Sequence, residues 1–377
     1  MALSYANIID ADGHVLEPAD TWERYIEPKF RDRALRIRVD DGREVLEING
    51  KPSRFFDVRV LNALGAMGKT SAEIEQMMAD PYPSNAPYGS MDPRERLAVM
   101  DEQGIAKAIL YPSLGLVWEC ELDDAELSLA YAQAYNRWIC DFCADSGGRL
   151  IAVAHISLAD PAAAADELER SVRAGAKGAF LAPYTLTRVP HAHPDHDAFW
   201  ARAQELDVPI AIHPMAENPK IRTYQRFDGM SSASWMQNAL GMQGPQQAFY
   251  GLFQWGLFDR FPKVKIVVLE SGAGWIGASL DRMDTIFSTT LGESVPLKEK
   301  PSTYFKRQCW ISGDPDERAL AHIIDYVGTD RFFWATDYPH FDHPGNFMEE
   351  LEELVAPMSE VNRNNLLGES AAAVYGI

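Results

Sequence analysis

The chain has 377 residues, of which 46% are hydrophobic, and it carries a formal net charge of −20. A surface of that sign repels phosphate backbones and anionic lipids, so neither nucleic acids nor membranes are expected as partners. The length exceeds that of an average domain, but α/β barrels with loop insertions reach it as one domain.

The cysteine content and the N-terminal residues suggest the compartment. The four cysteines are too few and too irregularly spaced for a disulfide framework. The N-terminal segment lacks the charged residues and apolar stretch of a secretory signal, and no apolar run has the length of a membrane span. We therefore expect a cytoplasmic protein with reduced thiols.

Eight short apolar runs recur along the chain, separated by helix-like stretches. They lack clean alternation of polar and apolar residues, as expected for strands covered on both faces. In chain order the runs are Asn7–Asp12, Ile105–Tyr111, Leu150–His155, Ala176–Ala182, Val208–His213, Val264–Glu270, Gln308–Ser312 and Arg331–Asp337. The repeated strand–helix pattern predicts a closed (β/α)8 TIM barrel. A doubly wound open sheet is the alternative, but no G-x-G-x-x-G motif follows the first run.

A long segment separates the first run from the second. We predict that residues 15–95 are an insertion in a single barrel domain that spans residues 1–377. Within the insertion, RIRVDDGREVLEI predicts a β-hairpin whose turn is Asp41-Gly42, followed by short helices. Because the insertion follows the end of the first strand, it should lie at the catalytic mouth of the barrel.

Polar side chains stand at the ends of several predicted strands. In chain order they are Asp12 and His14, then His213, then Glu270, and finally Asp337 with His340 just beyond it. The C-terminal ends of barrel strands converge, so these residues should become neighbours. Imidazoles and carboxylates together suit a divalent ion such as Zn²⁺, Mn²⁺ or Fe²⁺. The sequence therefore predicts a metal site at the barrel mouth.

The segments around these residues resemble the amidohydrolase-related family, in the branch that includes aminocarboxymuconate semialdehyde decarboxylase and the resorcylate-type decarboxylases. The matching segments are IIDADGHVLEP, MDEQGIAKAILYPS, AIHP, FPKVKIVVLESGAGW and VGTDRFFWATDYPHFD. The resemblance implies a barrel of the metal-dependent hydrolase type and a divalent ion, usually zinc or manganese. It implies that Asp12, His14, His213 and Asp337 are the ligands, and that Asp337 also takes part in proton transfer.

Two positions depart from the family pattern. The decarboxylases have a catalytic histidine at the end of the sixth strand, where this chain has Glu270, and their first pair is often His-x-His. A carboxylate cannot act as a cationic acid, so Glu270 has three interpretations: a general base, a metal ligand or an ion-paired structural group. Glu17 would add a further carboxylate to a pocket able to hold two metals ~3.5–4 Å apart.

Other polar residues are weaker candidates. His155 ends the third predicted strand, Tyr184 and Arg188 follow the fourth, and Glu17 follows the first pair. All four are candidates for substrate contact or for support of the site. The segment VPHAHPDHDAF suggests either a further metal site or a solvated loop, through His191, His193 and His196.

We expect an enzyme that hydrolyses or decarboxylates a small carboxylate-bearing substrate, aromatic or not, at one divalent ion. Asp337, Glu270 and His340 are the candidate catalytic groups. One alternative is a dinuclear non-haem iron oxygenase on the same barrel, and another is a catalytically silent barrel that binds a partner. A homo-oligomer and a hetero-oligomer both stay open. The aromatic residues Trp235, Trp255 and Phe258 belong either to a subunit contact or to the core.

Overall fold

The structure, a computed structural model, describes residue 5 and residues 7–218, 225–227, 229–230, 236, 239–240, 243–343 and 345–377. Its strands are β1 (Ile8–Val15), β2 (Arg36–Asp40), β3 (Arg43–Ile48), β4 (Lys51–Pro52), β5 (Ile105–Pro112), β6 (Leu150–His155), β7 (Gly178–Leu181), β8 (Pro209–Ile212), β9 (Lys265–Val268), β10 (Cys309–Gly313) and β11 (Phe332–Trp334).

Eight of these strands form the central sheet, in the order β1-β5-β6-β7-β8-β9-β10-β11, with each paired neighbour parallel. The first and last strands meet just beyond the end of β11. There the Asp337 N–H donates to the Asp12 carbonyl at 2.9 Å, and the His14 N–H donates to the Tyr338 carbonyl at 2.8 Å. Each predicted run overlaps one barrel strand, and the predicted (β/α)8 barrel is confirmed.

The helices around the barrel begin where the sequence supplies capping groups. Asp92, Asp124 and Asp160 each accept hydrogen bonds from N–H groups of the following turn, which would otherwise lack partners. The described α-helices are Thr21–Tyr25, Val58–Asn62, Ser71–Ala79, Pro93–Gln103, Ala125–Ala144, Pro161–Arg173, Asp197–Leu206, Gln243–Gln254, Leu257–Arg260, Ile276–Phe287, Pro301–Gln308, Leu320–Val327, Phe347–Val355, Glu360–Asn364 and Ser370–Tyr375.

A second, antiparallel sheet occupies part of the segment between β1 and β5. Strands β2 and β3 are joined by Asp41 and Gly42, whose φ angles of 48° and 74° fit a tight hairpin turn, and β4 pairs with β3. Further along, the Met67 N–H donates to the Pro339 carbonyl at 3.2 Å. The segment therefore contacts the loop that follows β11. That it is an insertion into one barrel domain stays a prediction.

Two expectations about partners concern a subunit contact through aromatic residues and the absence of a membrane span. Phe258 is fully buried and packs against Phe253 and Tyr304, with ring centroids 5.0 and 5.6 Å away, so it belongs to the core. Trp255 is partly buried, and Trp235 lies outside the described residues. No helix among the described residues combines the length and apolar character needed to cross a bilayer.

Candidate metal centre

The side chains predicted to bind metal meet at the C-terminal end of the barrel. Asp12 and His14 are two residues apart on β1 and so share a face of the strand. His213 directly follows β8, while Glu270 and Asp337 lie just beyond β9 and β11. Because these strands are neighbours or close the barrel, their ends bring the five residues to one place.

The distances define a tight cluster around two imidazoles. The Nε2 atom of His14 is 3.0 Å from Asp337 Oδ1 and 3.5 Å from Asp12 Oδ1. The Nε2 atom of His213 is 3.3 Å from Glu270 Oε2 and 3.5 Å from Asp12 Oδ1. Glu270 keeps 23% of its side chain exposed, whereas the side chains of the other four residues are at most 2% exposed. The cluster is thus buried and opens to solvent through Glu270.

Both histidines are held in the tautomer that a metal ligand needs. The Nδ1 atom of His14 is 2.7 Å from the Pro112 carbonyl, and that of His213 is 2.6 Å from the Pro214 carbonyl. A carbonyl only accepts hydrogen bonds, so each Nδ1 carries a proton and each neutral ring has its lone pair on Nε2. The two Nε2 atoms are 3.3 Å apart. Two facing lone pairs repel each other unless a cation lies between them.

The carboxylates add to this requirement for positive charge. Both carboxylate oxygens of Asp12 and the Oδ2 atom of Asp337 are buried and accept no hydrogen bond from the described residues. Buried carboxylate oxygens without partners are costly. Asp12, His14, His213 and Glu270 also place one potential ligand atom each within 4.8 Å of one another. The donor set therefore fits a divalent metal ion.

Backbone strain marks two of these positions. Glu270 and Asp337 have φ angles of 42° and 53°, in the left-handed region that residues with a side chain seldom adopt. The Glu270 N–H donates to the Ser312 hydroxyl at 3.1 Å, and the Asp337 N–H donates across the barrel closure to Asp12. These hydrogen bonds help to hold a conformation that costs about 1–3 kcal/mol per residue and is concentrated at functional sites.

A cavity of about 490 Å³ adjoins the cluster through Glu270. Its apolar lining includes Leu64, Leu116, Val117 and Met215. Its acidic lining comprises Glu217, Glu270, Asp314, Asp316 and Asp342, and its remaining polar lining includes Ser113, His340 and His343. No lysine or arginine occurs among the described lining residues. A metal ion would therefore be the strongest positive charge that the described part of the cavity offers to a substrate.

His340 links Asp337 to Ser113, and both His340 and Ser113 line the cavity. Its Nδ1 is 3.0 Å from Asp337 Oδ1 and its Nε2 is 2.8 Å from the Ser113 hydroxyl, so both ring nitrogens are engaged. Burial favours the neutral ring, but the charge of Asp337 outweighs it and raises the pKa of His340. In return, His340 and His14 hold the pKa of the Asp337 carboxyl well below its usual range, although burial opposes the shift. Asp337 is therefore an anion at neutral pH.

The structure corrects the expected position of Glu17. Its buried carboxylate accepts the backbone N–H groups of Ser113, Leu114 and Gly115 at 3.1, 2.8 and 2.9 Å. Burial raises the pKa of Glu17 to about 7, although these hydrogen bonds oppose the shift. Glu17 is absent from the clusters of potential ligand atoms among the described residues, so it is not placed in a metal pocket with Asp12 and Asp337. It positions the loop that carries Ser113 instead.

The three remaining candidates, His155, Tyr184 and Arg188, differ in what they contact. His155 is buried, 3.0 Å from Glu119 Oε2, and stacks on Phe180, whose ring also contacts His213. Tyr184 donates to the Ala216 carbonyl at 2.6 Å, and Ala216 lines the cavity. Arg188 is exposed and is not among the described residues that line the cavity. The structure thus gives His155 and Tyr184 a supporting position and gives none to Arg188.

The histidine-rich segment forms a loop stabilised by its own hydrogen bonds. His191 Nε2 is 2.8 Å from the Ala182 carbonyl, and His196 Nδ1 is 3.1 Å from the His191 carbonyl. His193 accepts the Asp195 N–H at 3.2 Å. Within the described ranges, no cluster of potential metal ligands includes these histidines. Of the two interpretations, the structure favours the loop.

Two buried residues of opposite charge, Asp10 and Arg96, support the end of β1 and were not predicted from the sequence. Asp10 accepts the Thr336 N–H and hydroxyl at 3.0 and 2.7 Å, and Arg96 donates to the His14 carbonyl at 2.9 Å. A Cβ atom on Gly13 would lie 2.6 Å from Asp10 and 2.7 Å from Arg96. A residue without a side chain is therefore needed between Asp12 and His14.

Three polar residues beyond the predicted strand ends line the cavity but were not predicted from the sequence. Asp342 and His343 follow β11 by several residues and form a further cluster of potential ligand atoms with Asp337. Asp314 lies just after β10 and lines the cavity. The acidic residues and histidines of the segments ISGDPDE and DYPHFDH could have indicated these positions.

Known proteins resemble this chain along most of its length. It is 28% identical to the gamma-resorcylate decarboxylase of a Rhizobium species over 283 residues, which cover 72% of this chain and 84% of that protein. An amidohydrolase from Mycobacterium avium subsp. paratuberculosis has a TM-score of 0.80 at 24% identity, with both chains fully covered. The 5-carboxyvanillate decarboxylase from Novosphingobium aromaticivorans, solved with manganese, has a TM-score of 0.70 at 20% identity over 99% of this chain and 96% of that one.

The relatives and the fold agree with the donor set at the barrel mouth. At these identities the two solved structures support the fold alone, so membership depends on the family model. The amidohydrolase model matches residues 9–377, which include every residue of the cluster. The predicted family and enzyme class are thereby confirmed, and the chain belongs to the amidohydrolase family.

Proposed function

We propose that this protein is a metal-dependent decarboxylase of a small hydroxylated aromatic carboxylate. The observation that carries the proposal is the pair of facing Nε2 atoms of His14 and His213 beside the Asp12 carboxylate, which accepts no hydrogen bond from the described residues. Through Glu270 this cluster adjoins a cavity large enough for one aromatic ring. The gamma-resorcylate decarboxylases, to which the chain is similar over most of its length, supply the substrate class.

Asp12, His14, His213 and Asp337 are the proposed metal ligands. When bound, a divalent ion supplies a positive charge for substrate oxygens and for the negative charge that develops as carbon dioxide leaves. The acidic groups of the cavity repel the substrate carboxylate from the other walls. The apolar side chains of Leu116, Val117 and Met215 provide a surface for the ring. The chain thereby orients the carboxylate towards the ligand cluster.

Cleavage of the bond between ring and carboxyl group leaves an electron pair on the ring carbon, which must take up a proton. We assign this proton to Glu270, because it lies in the ligand cluster and also lines the cavity. Burial, with the nearby charge of Asp337, raises the pKa of Glu270 well above its usual range and favours the neutral carboxyl. His340 is a poorer donor because Asp337 and Ser113 engage both of its nitrogens.

The test is carbon dioxide release by the manganese-loaded protein from gamma-resorcylate and from 5-carboxyvanillate. We expect one carbon dioxide per molecule of decarboxylated phenol, with a deuteron at the vacated carbon when the reaction runs in D₂O. Chelator-treated protein and the His213→Ala variant should be inactive. The proposal fails if the loaded protein releases no carbon dioxide from either acid but hydrolyses ester or amide substrates.

A further inference from the structure

One apolar side chain of the cavity comes from the long segment between β1 and β5. Leu64 is partly buried and lines the cavity. It is the one residue of that segment among the described lining residues, whereas Leu116 and Val117 follow β5 and Met215 follows β8. The cavity therefore combines side chains placed by the barrel with a side chain that a separate element supplies.

The backbone next to Leu64 is packed closely against its surroundings. A Cβ atom on Gly65 would lie 2.4 Å from the Cδ atom of Pro87, so the chain approaches this ring as closely as a glycine allows. Two residues further on, the Met67 N–H donates to the Pro339 carbonyl at 3.2 Å. These contacts hold Leu64 between its own segment and the loop that follows β11, and they fix it as part of the cavity wall.

The cavity has room for more than a bare ring. Its volume is about 490 Å³, and cavities of roughly 300–1,000 Å³ hold drug-sized ligands, which are larger than benzoate. A ring whose carboxylate is directed at the metal centre therefore leaves space for a substituent. Leu64, Leu116, Val117 and Met215 offer an apolar surface in this space. A single methylene in such surroundings changes discrimination between ligands by about 10- to 200-fold.

We propose that the cavity selects aromatic acids that carry an alkyl substituent, and that Leu64 contacts this substituent. The inference rests on the proposed function, since it requires that a carboxylate binds at the metal centre. It adds a specificity-determining residue outside the ligand set. The proposed ligands lie on β1 and just after β8 and β11, so a substitution of Leu64 changes the apolar wall and leaves the donor atoms in place.

The experiment is isothermal titration calorimetry of the Mn²⁺-loaded protein with benzoate, 3-tert-butylbenzoate and 4-tert-butylbenzoate. We expect at least one of the two alkyl acids to bind about 10-fold or more tightly than benzoate. Leu64→Asn keeps the approximate shape of the side chain and makes it polar. It should remove most of this advantage and change the affinity for benzoate little. The matched control is Val60→Asn, because Val60 is 44% exposed on the helix Val58–Asn62 of the same segment.

The outcomes separate this inference from the proposed function. Benzoate binding without any advantage for the alkyl acids would retain the function and overturn the selection. An equal advantage in Leu64→Asn and in the unaltered protein would overturn the role of Leu64. Failure of all three acids to bind would overturn the proposed function and this inference together. If Leu64→Asn unfolds in a melting curve, Leu64→Ala decides, because it shortens the same contact without adding a polar group.

Discussion

The imidazole of His213 has one nitrogen fixed by the Pro214 carbonyl and the other directed at His14, Asp12 and Glu270. Loss of a partner outside the coordination shell usually costs a metal site about 10–100-fold in affinity. We therefore expect His213→Ala to weaken Mn²⁺ binding by at least about 100-fold, as measured by titration against a fluorescent chelator. His322→Ala, on the exposed surface, is the control, and equal affinity in both variants would remove His213 from the site.

Glu270 is the one residue of its cluster with appreciable exposure. A substitution that removes its acidic group therefore tests its role as proton donor. We expect Glu270→Gln to keep its metal and to lose about 100- to 10,000-fold in turnover, the range for removal of a general acid. Because a general acid donates only when it is protonated, activity of the unaltered protein should fall as the pH rises through the pKa that Glu270 has in the metal-loaded protein. A metal-depleted variant would make Glu270 a ligand instead of a proton donor.

At the scale of elements, the loop after β5 depends on a residue of the segment after β1. Glu17 accepts three backbone N–H groups of this loop, whose Ser113 then contacts His340. The Glu17→Gln substitution replaces an accepting oxygen by a donor and leaves at least one buried N–H without a partner. We expect a loss of about 1–3 kcal/mol in the free energy of unfolding, measured by urea denaturation.

The matched control for the Glu17 substitution is Glu126→Gln, which removes an exposed ion pair with Lys29. Exposed pairs contribute about 0–1 kcal/mol, so this variant should unfold close to the unaltered protein. Equal urea midpoints for Glu17→Gln and the unaltered protein would show that Glu17 does not hold the loop.

Strand ends were predictable from the sequence, and the loops between them were not. His213 and Asp337 follow apolar runs, and barrel geometry brings such positions together whatever lies between them. Glu17 lies only three residues after His14, but the chain has left the strand by then, so its closeness in sequence was misleading. Asp342 and His343 lie in a loop without periodicity, and only coordinates show that they turn back to Asp337.

For the whole molecule, the buried carboxylates make stability depend on metal. A ligand that binds only the folded state stabilises it by about 2.7 kcal/mol at a concentration 100 times its dissociation constant. We expect the thermal midpoint to fall on chelation and to recover with Mn²⁺, as followed by circular dichroism. In His213→Ala the midpoint should hardly respond to Mn²⁺. An unchanged midpoint in the unaltered protein on removal of bound metal would contradict the linkage.

The closure of the barrel between Asp12 and Asp337 also has a consequence for biosynthesis. Asp12 and His14 are separated from Asp337 by nearly all the strands of the barrel. The hydrogen bonds that join β1 to the segment after β11 cannot form until that segment has been synthesised. High-affinity metal binding must therefore wait for the last strand, and a chain truncated before β11 would lack Asp337, one of the four proposed ligands.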